Sequence, residues 1–448
     1  MKLWSLFSLL CSTLTLPAAD WPQWMGPQRD GIWREEGLVR KFPESGPKVL
    51  WETPCGGGYA GPAVAEGRVF LADRIPAAPD APKPENPSAL PGTERLRALD
   101  SGTGKVLWEY QRDTPCLVSY PAGPRATPVV HEGLVYFLGI HGRLACLEAA
   151  TGKVMWEKYF EKEFNCEAPM WGFAGHPVVF RDTLICLAGG KGSCVVAFDL
   201  KTGAVKWKSL TLKQQGYAPP TICDNHGQPL LIQWSAEAIH GLDPVTGREL
   251  WDLPWPIRNG VAIASPVQSG NQVLITSFWR GCRMLKLNPG DAKPDIVWET
   301  EKESDTRTVH LNALMTTPVL HGGNFYGVCS YGQIRGLRWE DGTRLWENKE
   351  IVGKGKEVRW ATAFLTWMGG ADSDHCLCFT ESGELLILKL TPAACEIVSR
   401  AKVIEPDCED VRERPVVWTH PAYANGHAFV RNNHLIRCLD LRASPTGQ

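Results

Sequence analysis

A phrase of fifteen residues recurs along the chain, and this repeat constrains the fold more than any other feature. It reads LRALDSGTGKVLWEY at residues 96–110 and returns as LACLEAATGKVMWEK, VVAFDLKTGAVKWKS and IHGLDPVTGRELWDL. In each copy an apolar, strand-like run ends at an acidic residue, passes through a Thr-Gly turn and resumes with a tryptophan. Two antiparallel strands joined by a tight turn explain this pattern.

The tryptophan of the repeat gives the period of the whole chain. Seven copies lie 44 to 57 residues apart, at Trp51, Trp108, Trp156, Trp207, Trp251, Trp298 and Trp346. A period of this length, made of short alternating strands, is typical of a β-propeller with four strands in each blade. We therefore interpret the seven residues as structural docking tryptophans, each filling the wedge between neighbouring blades.

The turn residues have specific predicted roles. The acidic residues that end the third strand can accept hydrogen bonds from turn amides: Asp100, Glu148, Asp199 and Asp243. The glycine of each Thr-Gly pair supplies the positive φ that the hairpin requires. The small residue before Leu-Asp, such as Ala98, is expected to leave room for the indole of an adjacent unit.

Counting the proline-bearing strands that open each unit gives eight blades, so we predict an all-β, eight-bladed propeller. The last unit stops at Asp440 without an outer strand, whereas GPKVLWET near residues 47–53 is an outer strand without a preceding blade. The N-terminal strand is therefore expected to complete the last blade and remove the free sheet edges. The predicted organisation is a signal peptide (1–19), an N-terminal arm (20–46), the propeller (47–441) and a tail (442–448). Tryptophans of the arm, Trp21, Trp24 and Trp33, are expected on the flank of the propeller.

Composition and the N-terminus bear on the compartment and the partner. A net charge of −2 over 448 residues gives no general electrostatic reason to bind nucleic acid or anionic membranes. The N-terminal stretch MKLWSLFSLLCSTLTLPAAD has the lysine, short apolar run and small residues of a cleaved secretory signal. The apolar run is too short to span a bilayer, and Leu10 before Cys11 disfavours lipidation. We expect a periplasmic or secreted protein without a transmembrane segment.

The unit A-L-D-x-x-T-G-K-x-x-W resembles the tryptophan-docking repeat of the quinoprotein propellers, the PQQ-binding-like superfamily. The first unit carries all of it, at Ala98, Leu99, Asp100, Thr103, Gly104, Lys105 and Trp108. The resemblance covers essentially the whole mature chain and implies the propeller fold. It leaves function open, because the superfamily contains both enzymes and scaffolds.

The two branches of that superfamily imply different chemistry. The quinoprotein dehydrogenases hold PQQ with Ca²⁺ and an aspartate base, and the alcohol enzymes also use a disulfide of adjacent cysteines. This chain has no adjacent cysteine pair and no contiguous D-x-D-x-D-G calcium loop, so we assign no catalytic, cofactor-binding or metal-binding residue. The non-catalytic branch includes BamB-like propellers, which help to assemble outer-membrane β-barrels.

Candidate binding residues stand just before the inner strands, where the connecting loops surround one mouth of the channel. They are Tyr59, Arg125, Trp171, Tyr217, Arg258, Asn259, Asn312, Arg359, Trp360, Trp418 and His420. Aromatic faces with arginines and amides suit an extended peptide, a planar ligand or a sugar, although the same residues could simply pack the loops. The favoured function is a non-catalytic binding or scaffolding module with a protein or peptide partner. The alternatives are a PQQ-dependent oxidoreductase, which would need Ca²⁺, and a carbohydrate-binding propeller.

Overall fold

Eight four-stranded antiparallel sheets follow one another along the chain in a computed structural model that describes residues 20–78, 84, 86, 88–369, 373–409 and 414–443. The predicted signal peptide and the last five residues of the predicted tail lie outside the described residues. Each sheet is one blade, and its strands are numbered here from the innermost outward. The eight-bladed propeller predicted from the repeat is confirmed.

The strands of each blade are consecutive in sequence, except in the last blade. The first four blades consist of Ala63–Ala65, Arg68–Pro76, Gly92–Asp100 and Val106–Asp113 (blade 1); Val129–His131, Leu134–Leu138, Arg143–Glu148 and Val154–Tyr159 (blade 2); Val178–Phe180, Thr183–Leu187, Val195–Asp199 and Val205–Ser209 (blade 3); and Thr221–Asn225, Gln228–Trp234, Ala238–Leu242 and Glu249–Pro254 (blade 4).

The other four complete the ring. They consist of Val267–Ser269, Gln272–Ser277, Gly281–Lys286 and Asp295–Glu299 (blade 5); Val319–His321, Asn324–Val328, Ile334–Arg338 and Arg344–Asn348 (blade 6); Ala363–Met368, His375–Thr380, Glu384–Leu390 and Cys395–Lys402 (blade 7); and Ala422–Ala424, His427–Arg431, Leu435–Asp440 and the N-terminal strand Val49–Pro54 (blade 8). Short elements outside the blades are a helix, Phe160–Glu163, a 3-10 turn, Arg258–Gly260, and the paired strands Cys408–Glu409 and Pro415–Val416.

Closure of the ring follows the predicted route. Val49–Pro54 pairs antiparallel with Leu435–Asp440, and Trp51 lies opposite Cys438. The first outer strand of the chain thereby becomes the outer strand of the last blade. Residues almost four hundred positions apart are joined by the same ladder that connects neighbouring strands elsewhere, which fixes the two ends of the propeller together.

The docking tryptophans connect each blade to the next. Six of the seven donate the indole N–H to a backbone carbonyl just after the third strand of the following unit; Trp156, for example, donates to the Leu200 carbonyl at 3.0 Å. Blade 7 has lost its own tryptophan and Thr-Gly turn, yet its Thr391 carbonyl still accepts from Trp346 at 2.8 Å. The hydrogen bond between blades is therefore present here although blade 7 lacks the sequence motif.

The turn residues act as predicted, with one correction. Asp100 Oδ1 accepts from the Thr103 amide at 2.9 Å, and Asp199 Oδ1 accepts likewise from Thr202 at 2.9 Å. The small residue before Leu-Asp, however, lies opposite the tryptophan of its own blade, as Ala98 does opposite Trp108. The prediction that it serves an adjacent unit was wrong.

Contact with the preceding unit is made by the turn glycine instead. A Cβ added to Gly152, which has a φ of +75°, would lie 2.6 Å from Cε3 of Trp108 in blade 1. Equivalent clashes arise at Gly104, Gly203 and Gly247. Glycine is therefore required at this turn for two reasons: the backbone is left-handed, and the indole of the preceding unit leaves no room for a Cβ.

The first part of the N-terminal arm, residues 20–33, lies inside the ring, which corrects the expected place of its tryptophans on the flank. Trp21 exchanges two backbone hydrogen bonds of 2.8 Å with Val64 in the innermost strand of blade 1. Strand Ile32–Trp33 pairs in parallel with Ala363–Met368, the innermost strand of blade 7. Trp21 and Trp33 are buried, and both pack on Tyr423 of blade 8. Innermost strands have open edges facing the channel, and the arm covers several of them.

Candidate functional site

The segments that lead into the innermost strands converge at one mouth of the channel and enclose a cavity of about 390 Å³. All eight of these lead-in segments contribute to its wall. The lining residues are Trp24, Tyr59, Tyr120, Arg125, Trp171, Ala174, His176, Tyr217, Pro219, Asn259, Val261, Ile263, Phe278, Trp279, Leu314, Met315, Arg359, Trp360, Phe364, Trp418 and His420. The wall is mainly aromatic and aliphatic, as in most ligand-binding clefts.

Most of the predicted mouth residues meet at this cavity. Those that line it are Tyr59, Arg125, Trp171, Tyr217, Asn259, Arg359, Trp360, Trp418 and His420. Arg258 does not, because its exposed side chain pairs with Glu303 at 2.9 Å. Asn312 is buried behind the wall, where its amide donates to the carbonyls of Phe278 and Ser304 at 2.8 and 2.9 Å. It holds loops together instead of facing the cavity.

Sequence reasoning did not single out several wall residues, among them Tyr120, His176 and Met315, and it missed the contribution of a hairpin and of the arm. Phe278 and Trp279 lie between the second and third strands of blade 5, and this hairpin reaches the same mouth as the lead-in segments. The adjacent aromatic pair was a visible signal in a loop that the strand pattern places at that end. Trp24 was missed because the arm was expected on the flank.

Trp24 closes the channel beneath the cavity. Its indole ring stacks on His176 at a centroid distance of 4.4 Å and meets His420 edge to face at 4.3 Å. The indole N–H donates to Ser265 Oγ at 3.1 Å. One side chain from the arm thus contacts the lead-in segments of blades 3, 5 and 8. The cavity is open at the mouth and blind at its floor.

Thr127 fixes the two histidines of the floor. Its amide donates to Nδ1 of His176 at 2.9 Å, and its hydroxyl lies 2.8 Å from Nε2 of His420. His420 Nδ1 is 3.3 Å from the Pro421 carbonyl, which places the proton of the neutral ring on Nδ1. Burial lowers the pKa of His420 to about 4, and burial together with His420 and Arg29 holds the pKa of His176 well below its usual value. The floor is therefore uncharged at neutral pH.

Arg125 places a buried positive charge in the wall. Its guanidinium donates to the carbonyls of Ser119, Tyr120 and Gly123 and lies over the Tyr59 ring at 5.1 Å. Among the described residues, no carboxylate forms an ion pair with it. Burial lowers the pKa of Arg125, although an arginine stays charged in any case.

Arg359 is the second guanidinium of the wall. Its Nη2 pairs with Asp305 at 3.0 Å, and its plane lies over Trp360 and Phe278 at 5.3 and 5.7 Å. The Nε atom is buried without a hydrogen-bond partner. The group therefore combines an aromatic platform with a donor that the fold leaves unsatisfied.

Polar contacts on the side away from the cavity hold the side chains of Trp418 and Tyr59 in place. The Trp418 indole donates to Glu381 at 2.9 Å, and Glu381 also pairs with Arg414. The Tyr59 hydroxyl lies 3.4 Å from Sγ of Cys408, and burial raises the pKa of this tyrosine. These contacts fix the aromatic side chains in place before any ligand arrives.

The donor set of the cavity does not fit a calcium-bound quinone. Ca²⁺ in proteins is held mainly by carboxylate and carbonyl oxygens, yet the lining residues include no aspartate and no glutamate. In the part of the chain that the structure describes, no cluster of three or more His, Cys, Asp or Glu could hold a metal ion. Nor does the wall offer the pair of carboxyl groups that most glycoside hydrolases use.

Comparisons with known proteins agree with the fold. A family profile described as outer membrane protein assembly factor BamB matches three overlapping stretches of the chain, residues 35–209, 119–348 and 235–434. No curated protein matches the sequence significantly. Over the described residues, no helix is long and apolar enough to cross a membrane.

Similar solved structures come from several kinds of protein. BamB from Moraxella catarrhalis has a TM-score of 0.58 at 12% identity, over 88% of this chain and 99% of its own. Quinohemoprotein alcohol dehydrogenase from Comamonas testosteroni has a TM-score of 0.64 at 13% identity, over 96% and 82%. The computationally designed Ika8 protein has a TM-score of 0.54 at 10% identity, over 88% and 98%. At such identities the likeness concerns the fold alone.

Proposed function

Because the chain belongs to the family of the outer membrane protein assembly factor BamB, we propose that it is an exported, non-catalytic binding module that holds a polypeptide partner at the mouth of its channel. The partner we propose is an unfolded client of outer-membrane protein assembly. Its apolar side chains would enter the aromatic cavity while the ring of blades serves as a rigid frame.

The observation that supports a polypeptide is the exposed apolar surface at the rim of the cavity. Exposed apolar side chains stand on two of the loops that lead into blades: Leu117 and Met170 are 52% and 62% exposed. Met170 precedes Trp171 of the cavity wall, and its carbonyl accepts from the Ser119 amide at 2.9 Å. A small ligand inside the cavity would leave these side chains in water, whereas a chain that lies across the mouth would cover them.

Site-specific photo-cross-linking tests this proposal. The photoreactive residue p-benzoylphenylalanine replaces Trp279 in the cavity wall, Met170 at the rim or Val297 in the outer strand of blade 5. The probe is a urea-denatured outer-membrane β-barrel protein diluted into buffer with each variant. We expect cross-links at positions 279 and 170 and none at 297. Equal yields at all three positions, or no cross-link at 279, would refute the assignment of this mouth.

A titration with PQQ and Ca²⁺ tests the enzymatic alternative. Tryptophan fluorescence and quinone absorbance report binding, because several indoles line the cavity. The binding-module proposal predicts no saturable change up to high micromolar PQQ. One-to-one quenching with a spectral shift would instead support a quinoprotein dehydrogenase and justify turnover assays with alcohols and sugars.

A further inference from the structure

Guanidinium and indole N–H donors stand among the aromatic and aliphatic side chains of the cavity wall. Arg125 contributes a positive charge that no described carboxylate pairs with, Arg359 adds a second guanidinium that Asp305 pairs with at 3.0 Å, and no lining residue is acidic. The indoles of Trp171 and Trp279 find no acceptor for their N–H among the described residues. A ligand that satisfies this wall must carry acceptors and a negative charge beside an apolar body.

Arg125 still has donors to offer. Its Nη atoms use three N–H groups on the carbonyls of Ser119, Tyr120 and Gly123. A guanidinium has five, so two remain. A buried charge without a counter-ion is costly, and an anion that enters the cavity would relieve this cost. Arg359, whose side chain is 32% exposed although Asp305 pairs with its Nη2, adds a second guanidinium from another part of the wall.

The blind floor restricts how a polypeptide can occupy the cavity. Trp24 blocks the channel through its contacts with His176, His420 and Ser265. A chain that ran through the cavity would need a second opening, whereas the end of a chain needs one. The two arginines repel a charged N-terminus and attract a C-terminal carboxylate. A cavity of about 390 Å³ admits a chain end but no folded domain.

We infer that the cavity is a receptor for the C-terminal end of a polypeptide, with the free α-carboxylate near the two guanidinium groups and an apolar last side chain among the aromatic residues. This inference rests on the proposed function and specifies its ligand. The indoles of Trp171 and Trp279 supply donors for carbonyls of the bound backbone.

Fluorescence anisotropy with matched peptides tests the inference. The probes are fluorescein-Gly-Ser-Thr-Ala-Leu-Phe with a free C-terminal carboxylate and the same peptide as its C-terminal amide, each titrated with the full-length protein. We expect the acid to bind at least about tenfold more tightly than the amide, equivalent to about 1.4 kcal/mol. Arg359→Gln and Arg125→Gln should each bring the acid-to-amide ratio towards one.

Arg258→Gln is the matched control, because Arg258 lies on the same face but outside the cavity; it should leave the ratio unchanged. Arg125 also holds its own loop, so circular dichroism must show that its variant is folded, and Arg359→Gln provides the test if it is not. Equal affinity for acid and amide would overturn the terminal-carboxylate inference while leaving the cross-linking test of the proposed function intact. The terminal-carboxylate inference would also be overturned if neither peptide bound.

N-acetylphenylalanine, as an unlabelled competitor, separates a chain end from a small aromatic acid. We expect it to displace the peptide far more weakly than the unlabelled peptide acid does, because it offers the indole donors one acetyl carbonyl instead of a series of backbone carbonyls. Displacement at equal concentrations would overturn the assignment of a polypeptide and identify a small aromatic carboxylate as the ligand.

Discussion

The tryptophans between the blades and those at the channel mouth use the same side chain in opposite ways. Between blades, the indole of Trp156 rests on a glycine turn and donates to a carbonyl of the next unit, so its polar and apolar surfaces are both satisfied. At the mouth, Trp171 and Trp279 are only half buried, and no described residue accepts their N–H. The docking tryptophans have their hydrogen bonds and packing satisfied by the protein itself, whereas the mouth tryptophans have an N–H left free by the described residues and exposed ring surface that another molecule can contact.

This difference teaches how one scaffold separates stability from recognition. Docking tryptophans occur once per unit, and their loss should affect the ring. Mouth residues differ from one lead-in segment to the next, and their loss should affect a ligand. Trp24 lies between the two groups, because it is buried like a docking tryptophan yet forms the floor of the cavity.

The largest effect is expected from removal of a docking tryptophan. Trp156→Ala should lower the free energy of unfolding by about 3–5 kcal/mol, since a buried indole packed on Tyr136 and Phe198 leaves a cavity. Urea unfolding followed by circular dichroism measures the change. A loss below about 1 kcal/mol would show that the blades hold together without this contact.

A pair of glycine substitutions sharpens the account of the turn. Gly152→Ala and Gly133→Ala both place alanine at a positive φ, +75° and +73°, but only Gly152 faces an indole, since nothing lies within 4 Å of a Cβ at Gly133. Both should lose about 1–2 kcal/mol from backbone strain, and Gly152→Ala about 1–3 kcal/mol more from overpacking. Equal losses in urea unfolding would contradict a packing role for the turn glycine.

Acidification should lower the free energy of unfolding, because the two histidines in the cavity floor are held neutral in the folded protein. Because burial lowers the pKa of His420 to about 4 and that of His176 as well, the unfolded chain binds more protons below its pKa of about 6.5. The free energy of unfolding is therefore highest above about pH 6.5. It falls by about 1.4 kcal/mol per pH unit for each histidine as the pH decreases from about 6.5 towards 4.

Urea unfolding between pH 7 and pH 4.5 measures this slope. His420→Gln should make it shallower by the contribution of one histidine, whereas His131→Gln, which changes a more exposed ring, should not. An unchanged slope in His420→Gln would mean that His420 is not neutral in the folded protein.

The smallest effect on stability is expected from a mouth tryptophan. Trp279→Ala should change the free energy of unfolding by no more than about 1 kcal/mol, as its ring is only partly buried at the edge of an apolar cluster, where it meets Phe278 edge to face at 4.8 Å. The same variant should weaken binding of the peptide acid about tenfold. A large loss of stability together with unchanged affinity would place Trp279 with the docking tryptophans.

Prediction from the sequence succeeded for most of the features that recur in every unit, although the partner of the small residue before Leu-Asp was predicted wrongly. The turn acids, the turn glycines and the closing strand Val49–Pro54 all follow from the repeat. The mouth residues were found from their position before inner strands, although Arg258 and Asn312 show that position does not decide which way a side chain faces. The arm was misplaced, because its residues carry no repeat.

By itself, the sequence determined the number of blades, their order and the contacts between neighbours, since a periodic pattern repeats the same local geometry in every unit. Only the tertiary structure decided that the channel is closed by Trp24 and that its mouth forms one donor-rich cavity. Trp24 and Ser265 are 241 positions apart, and they meet because the arm, which carries no repeat, lies inside the ring. The blades therefore follow from repetition, and the candidate site follows from where eight different loops meet.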